Sequence, residues 1–179
     1  MPLRLFAALP VPVAFHPELL RLQKGLPGAK WRPAENFHIT LRFAGDLGEH
    51  QAEDFDGELR NVHVPPFALH LQGTNWFGKS DPRTLWIGLG PSAELMELQA
   101  QCERAARRAG LAPETHPFRP HMTLAYLNGC RLDRLTAWCR DRAAFKTEAF
   151  TATHFSLYQS FSRKKGPNLY EALADYPLY

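Results

Sequence analysis

Residues 37–43 read Phe-His-Ile-Thr-Leu-Arg-Phe, and residues 120–126 read Pro-His-Met-Thr-Leu-Ala-Tyr. Apolar and polar side chains alternate through both stretches, the period of a half-buried β-strand. The tetrapeptide His, apolar, Thr, Leu returns at an interval of 83 residues, close to half of the 179. At average amino-acid usage, one such copy in a chain of this size has a chance of roughly one per cent. Two copies constrain the fold strongly: two strands, each carrying a histidine and a threonine on one face, turned toward one site.

The rest of the chain falls into place around this pair. Leu3 to Leu9 reads as a strand ended by Pro10 and Pro12. Phe15, Leu19, Leu22 and Leu26 have helical spacing, with Gly25, Pro27 and Gly28 as stops. Residues 30–36 form a short approach to the first motif strand. Ala52, Phe55, Leu59 and Val62 mark a second helix, and Phe67 to Leu71 a strand. Residues 73–82 have the composition of a loop or long turn. Thr84 to Leu89 is a strand. Leu95, Leu98, Cys102, Ala105 and Ala109 mark the longest helix, stopped by Gly110. After the second motif strand come a helix through Leu132, Leu135 and Cys139, a strand from Glu148 to Tyr158, a basic turn at residues 163–167, and a closing strand from Asn168. The order strand, helix, motif strand, helix, strand occurs twice, with first strands about 81 residues apart. The expectation is one domain over residues 1–179, made of two duplicated lobes that face a shared cleft.

Composition narrows the function. No apolar run approaches the length of a membrane span. The apolar start ends at Pro10 and Pro12 without a small-residue cleavage site, so it is read as a strand and the protein as cytoplasmic. Three cysteines, an odd number with no Cys-x-x-Cys pair, suit a reducing compartment and argue against a disulfide framework or a thiolate zinc site. A net charge of +3 allows an anionic substrate without demanding one.

Two opposed imidazoles suit general acid–base catalysis, one accepting a proton from a nucleophile and the other donating to a leaving group. In-line displacement at phosphorus needs such groups on opposite sides of the phosphate. Hydroxyls of Thr40 and Thr123 would then reach its non-bridging oxygens. No acidic residue accompanies either motif at its spacing, which disfavours a zinc site built on His38 and His121, and no cofactor is expected. By strand period Arg42 shares the face of His38, and Arg119 that of His121. Arg163, with Lys164 and Lys165, forms a basic turn suited either to solvent or to an RNA backbone. The same alternation points Phe37, Ile39, Leu41 and Phe43 into the core, although Phe43 also stands with Arg42, Arg119, Tyr126 and Arg163 as a candidate substrate contact.

Paired His-x-Thr-Leu motifs about eighty residues apart resemble the signature of the 2H phosphoesterases, most closely that of the RNA 2′,3′-cyclic phosphodiesterases, also called 2′-5′ RNA ligases. The resemblance runs along nearly the whole chain, through Leu3–Pro10, Glu35–Gly45, Leu85–Gly88, Phe118–Ala125 and Leu157–Ser160. It implies a bilobal α+β fold of pseudo-two-fold symmetry, with two antiparallel sheets lining a central cleft and helices outside. It implies metal-independent hydrolysis of an RNA 2′,3′-cyclic phosphate end to a 2′-phosphate. His38 would then be the proton donor to the departing 3′ oxygen and His121 the proton acceptor that activates water, with Thr40 and Thr123 holding the phosphate. Partners would be RNA with a cyclic end, or small cyclic nucleotides, bound by a monomer that does not engage membranes.

One position departs from the pattern: where the family often has arginine, this chain has Tyr126. A tyrosine can stack on a base or donate one hydrogen bond but adds no charge. Hydrolase activity with altered substrate preference is the expectation. Two other functions stay open at this level. One is ligation of the cyclic end to a 5′-hydroxyl, and the other is a non-catalytic RNA-binding module.

Overall fold

The computed structural model describes residues 1–179 throughout. The elements follow in the order β1 (Leu3–Pro10), α1 (His16–Leu22), β2 (Ala29–Trp31), β3 (His38–Leu47), α2 (Glu49–Leu59), β4 (Phe67–Leu69), β5 (Leu71–Phe77), β6 (Thr84–Leu89), α3 (Ala93–Arg108), β7 (His121–Leu127), α4 (Leu132–Asp141), β8 (Phe150–Ala152), β9 (His154–Phe161) and β10 (Leu169–Pro177). Helix α3 starts where Ser92 accepts a hydrogen bond from the Leu95 amide at 3.1 Å, satisfying one of the amides that a helix start leaves free. No helix is long and apolar enough to cross a membrane.

Four antiparallel strands run β10-β9-β1-β3, and β7-β6-β5 with β2 on the other flank of β7 form a second set. One ladder pair, Ile39 opposite Met122, joins the two sets at the β3–β7 seam. A separate two-stranded sheet pairs β4 with β8. This is the α+β architecture of two sheets with helices outside.

The interval of 83 residues recurs in the pairing. Ile39 and Met122 are 83 apart, and so are Ala68 and Thr151, which face each other in the β4–β8 ladder. A pseudo-two-fold axis therefore passes through both pairs. The first strands do not keep that interval: β3 pairs Phe6 with Phe43, and β7 pairs Thr84 with Tyr126, an offset of 78 rather than the expected 81. The last strand of each half crosses over, β5 pairing with β6 and β9 with β1. Residues 73–77, expected in a loop, extend β5 because Thr84–Leu89 offers a partner edge.

The approach segment also proves to be structured. Its first two residues, with Ala29 before them, form β2, which pairs with residues 125–127 of β7. Gly28 makes that approach possible. Its φ is +88°, and a Cβ there would meet the Asn128 carbonyl and Cys130 backbone at 3.0–3.2 Å, contacts that only glycine avoids.

The core is continuous between the halves. Phe55 and Leu59 of α2, Leu95, Leu98 and Cys102 of α3, and Leu135 of α4 are buried with Leu5, Leu9, Ile39, Ile87, Met122 and Phe155 of the strands. Burying each such side chain contributes about 1.5–3 kcal/mol. All three cysteines are free and buried.

Candidate active site

The seam register decides which motif residues meet. With Ile39 opposite Met122, one step either way places His38 across from Thr123 and Thr40 across from His121. All four side chains share the face opposite that buried pair, since successive side chains on a strand alternate.

Both imidazoles are fixed in the same way. His38 Nδ1 lies 2.7 Å from the Asn36 carbonyl, and His121 Nδ1 lies 2.6 Å from the Arg119 carbonyl. A carbonyl can only accept, so each Nδ1 carries the proton and each Nε2 is the lone-pair nitrogen. His38 Nε2 accepts from the Thr40 hydroxyl at 2.9 Å. The rings are also held by aromatic neighbours. Phe6 lies 4.9 Å and Tyr170 5.4 Å from His38, centroid to centroid, and Phe77 lies 4.9 Å from His121. Burial pushes the His38 pKa down to about 4, against the favourable Asn36 bond; the nearby His121 and Arg32 push the same way. Burial also lowers the His121 pKa, again against its carbonyl bond.

Each motif strand carries a bulge directly after its threonine. In β3, Thr40 faces Ala8 and Arg42 faces Ala7, leaving Leu41 without a partner. In β7, Thr123 faces Trp86 and Ala125 faces Leu85, leaving Leu124 without one. An extra residue reverses the facing of everything after it. Leu41 and Arg42 are consequently both buried, while Phe43 is 44% exposed; Leu124 and Ala125 are buried, while Tyr126 is 46% exposed.

Two expectations are corrected by this. Arg42 does not share the His38 face. It is turned inward, ion-paired with Glu103 and bonded to the carbonyls of Phe43 (2.6 Å) and Ala112 (2.5 Å). Burial pushes the Glu103 carboxyl up, but the Glu114 amide, Arg107 and Arg42 outweigh it and hold it below the ordinary carboxylate range. Phe43, assigned to the core by alternation, instead stands in the cleft beside Thr40.

Two cavities share Thr40 and Phe43 as their common wall. The first, about 220 Å³, holds His38 and Thr123 with Arg4, Arg32, Tyr126 and Tyr170, and no carboxylate lines it. The second, about 480 Å³, holds His121 and Arg119 with Phe77 and Phe118. Thus His38, Thr40, Thr123, Phe43 and Tyr126 come together, and His121 and Arg119 adjoin them. Arg163 lines neither cavity; it stands exposed on the β9–β10 turn, whose flanks Ser160 and Asn168 do reach the first one.

Sequence reasoning missed Arg32, Tyr170, Asn36 and Phe77. Asn36 is buried and donates to the Asn168 carbonyl at 3.1 Å, tying the floor of the cleft to β10. None of the four recurs at the motif interval, so repetition gave no signal for them. No group of three or more His, Cys, Asp or Glu side chains is placed to hold a metal ion.

Known proteins resemble this chain in sequence and fold. The family model of the 2′-5′ RNA ligase superfamily matches residues 11–163. The RNA 2′,3′-cyclic phosphodiesterase of Aeropyrum pernix is 35% identical over 146 residues, covering 78% of this chain and 83% of the relative. The protein of the same name from Archaeoglobus fulgidus is 28% identical over 173 residues, covering 92% and 95%. The fold superposes on the crystal structure of E. coli LigT complexed with 3′-AMP with a TM-score of 0.79 over 99% of both chains, at 23% identity. With its duplicated His-Thr strands, its seam register and these likenesses, the chain belongs to the RNA 2′,3′-cyclic phosphodiesterase family of the 2H phosphoesterase superfamily.

Proposed function

We propose that this protein hydrolyses the 2′,3′-cyclic phosphate at an RNA end to a 2′-phosphate, by acid–base catalysis between His38 and His121. The observation that carries the proposal is the crossed register: each histidine faces the other strand's threonine, and each Nε2 is the nitrogen left unbound by backbone. A phosphate seated over Thr40 and Thr123 then has an imidazole on either side, as in-line displacement requires. The relatives' shared name supports the substrate class.

In this mechanism His121 Nε2 takes a proton from water as it attacks phosphorus, and His38 Nε2 delivers one to the departing 3′ oxygen. The threonine hydroxyls donate to the non-bridging oxygens, where negative charge accumulates. His38 is neutral at pH 7 in the free cleft. The substrate's anionic phosphate supplies the missing counter-charge, which favours the imidazolium. The larger cavity beside His121 leaves space for the attacking water, or for a second RNA end carrying a 5′-hydroxyl, and the latter would run the site as a ligase.

The test is incubation with an RNA oligonucleotide ending in a 2′,3′-cyclic phosphate, in excess EDTA. His38→Ala and His121→Ala are run alongside, and product is read by mass and phosphatase sensitivity. A 2′-phosphate product lost in both variants supports the proposal. Turnover that needs an added divalent metal, or that survives in either variant, defeats it. RNA binding without turnover under any condition would leave a binding module.

A further inference from the structure

The two bulges place Phe43 and Tyr126 at equivalent positions, 83 residues apart, and each carries a guanidinium on its ring. Arg4 lies 5.0 Å from the Phe43 centroid, and Arg32 lies 4.6 Å from that of Tyr126. Both arginines line the cavity that holds His38 and the two threonines. Their surroundings differ. Arg4 pairs with Asp46 at 3.4 Å and is largely exposed. Arg32 is half-buried and has no carboxylate within ion-pairing distance. The Tyr170 hydroxyl lies beside it, and with no carboxylate lining the cavity most of its five N–H donors remain for a ligand.

The backbone holds Arg32 as firmly as the ring does. The bulge frees the Leu124 carbonyl from the ladder, and the Arg32 amide binds it at 2.8 Å. Gln23 bridges the same carbonyl, at 3.3 Å, and that of Arg32, at 2.8 Å. Hence the irregularity that turns Tyr126 into the cleft also anchors Arg32 above it. A half-buried guanidinium with no counter-ion is unfavourable to keep in a free protein, and a planar stacked one is suited to a bidentate grip on phosphate.

We propose that Arg32, stacked on Tyr126 and backed by Tyr170, is the residue that binds the anionic oxygens of the substrate phosphate between Thr40 and Thr123. This rests on the phosphodiester reading of the same site. Arg32 is catalytic in the strict sense, touching the reacting phosphate and offsetting charge that grows in the transition state. Its ligand is a phosphate monoester or cyclic diester; Arg163 and its basic neighbours on the distant turn are not needed for it.

The experiment compares wild type, Arg32→Ala and Arg32→Lys in two measurements: binding of inorganic phosphate by calorimetry, and kcat/KM on a 2′,3′-cyclic mononucleotide. Circular dichroism shows that the variants fold. Expected for Arg32→Ala is a fall in kcat/KM of about 10²-fold or more with weaker phosphate binding. Arg32→Lys should restore only part, and added guanidinium ion should rescue Arg32→Ala but not Arg32→Lys. A merely structural role predicts no rescue. Wild-type turnover with Arg32→Ala within threefold overturns the inference and leaves the proposed function standing. If wild type does not turn over, the proposed function fails, and phosphate binding decides Arg32 alone. Affinity lost in Arg32→Ala upholds the phosphate contact, whereas affinity unchanged or absent in wild type overturns it.

Discussion

His38 stands across the β3–β7 seam from Thr123, not from His121. The two histidines are therefore offset along the seam, each paired in space with the other motif's hydroxyl, and a phosphate between them meets one imidazole on each flank. Acting as a unit, they should show non-additive losses. His38→Ala and His121→Ala are each expected to lower kcat by roughly 10²–10⁴-fold, and the double variant by little more than the worse single. Single-turnover rates on a cyclic-phosphate oligonucleotide measure this; full additivity would mean that the two histidines serve separate steps.

The burial that depresses the pKa of His38 to about 4 makes two separable expectations. First, an anion seated in the cleft should raise that value, since negative charge favours the imidazolium. NMR titration of the ring with and without saturating inorganic phosphate reads the shift directly, and no upward movement would remove His38 as proton donor.

Second, the same depression links stability to pH. Between the ordinary histidine value of about 6.5 and about 4, the unfolded chain binds a proton that folded His38 refuses. Stability therefore rises with pH across that window and falls as pH drops through it, by an amount of order 3 kcal/mol for this group. Denaturant midpoints at pH 4.5 and 7 should differ less in His38→Gln than in wild type.

Arg42 belongs to the scaffold. Arg42→Ala leaves the carbonyls of Phe43 and Ala112 without their donor, while Glu103 keeps Arg107 and the Glu114 amide, so it should cost about 1–3 kcal/mol. Urea denaturation checks the loss. Activity per folded molecule should stay within a few-fold, because its donors are taken up by Glu103 and by the carbonyls of Phe43 and Ala112.

Tyr126→Arg is expected to lower kcat/KM, not to improve it. The new guanidinium would remove the ring under Arg32 and set two like charges side by side in a cavity that holds no carboxylate. Equal or better kinetics across cyclic-phosphate substrates would show that a second cation is tolerated there.

Much of this was legible in the chain, because the two motifs repeat with matched context and alternation reveals strands directly. The four helices, the strands other than β2 and most of β5, and the His-Thr face follow from period. The errors at Arg42 and Phe43 share one cause. A bulge adds a residue without changing composition, so alternation carried past Leu41 assigns both side chains to the wrong face. Arg32 was hidden differently. It directly follows a three-residue strand too short to show a period, and its importance comes from a carbonyl 92 residues later, at Leu124.

The exchange of final strands between halves has a consequence for how the protein is made. On the ribosome, β1 and β3 emerge early, yet β9 and β10, which complete their sheet, are synthesised last. His38 cannot acquire its Tyr170 neighbour, nor Asn36 its Asn168 partner, until nearly all of the chain is out. Non-local pairing of this kind slows folding. The cleft is thus the last part to assemble, and a chain released early would expose the β1 edge rather than a half-active enzyme.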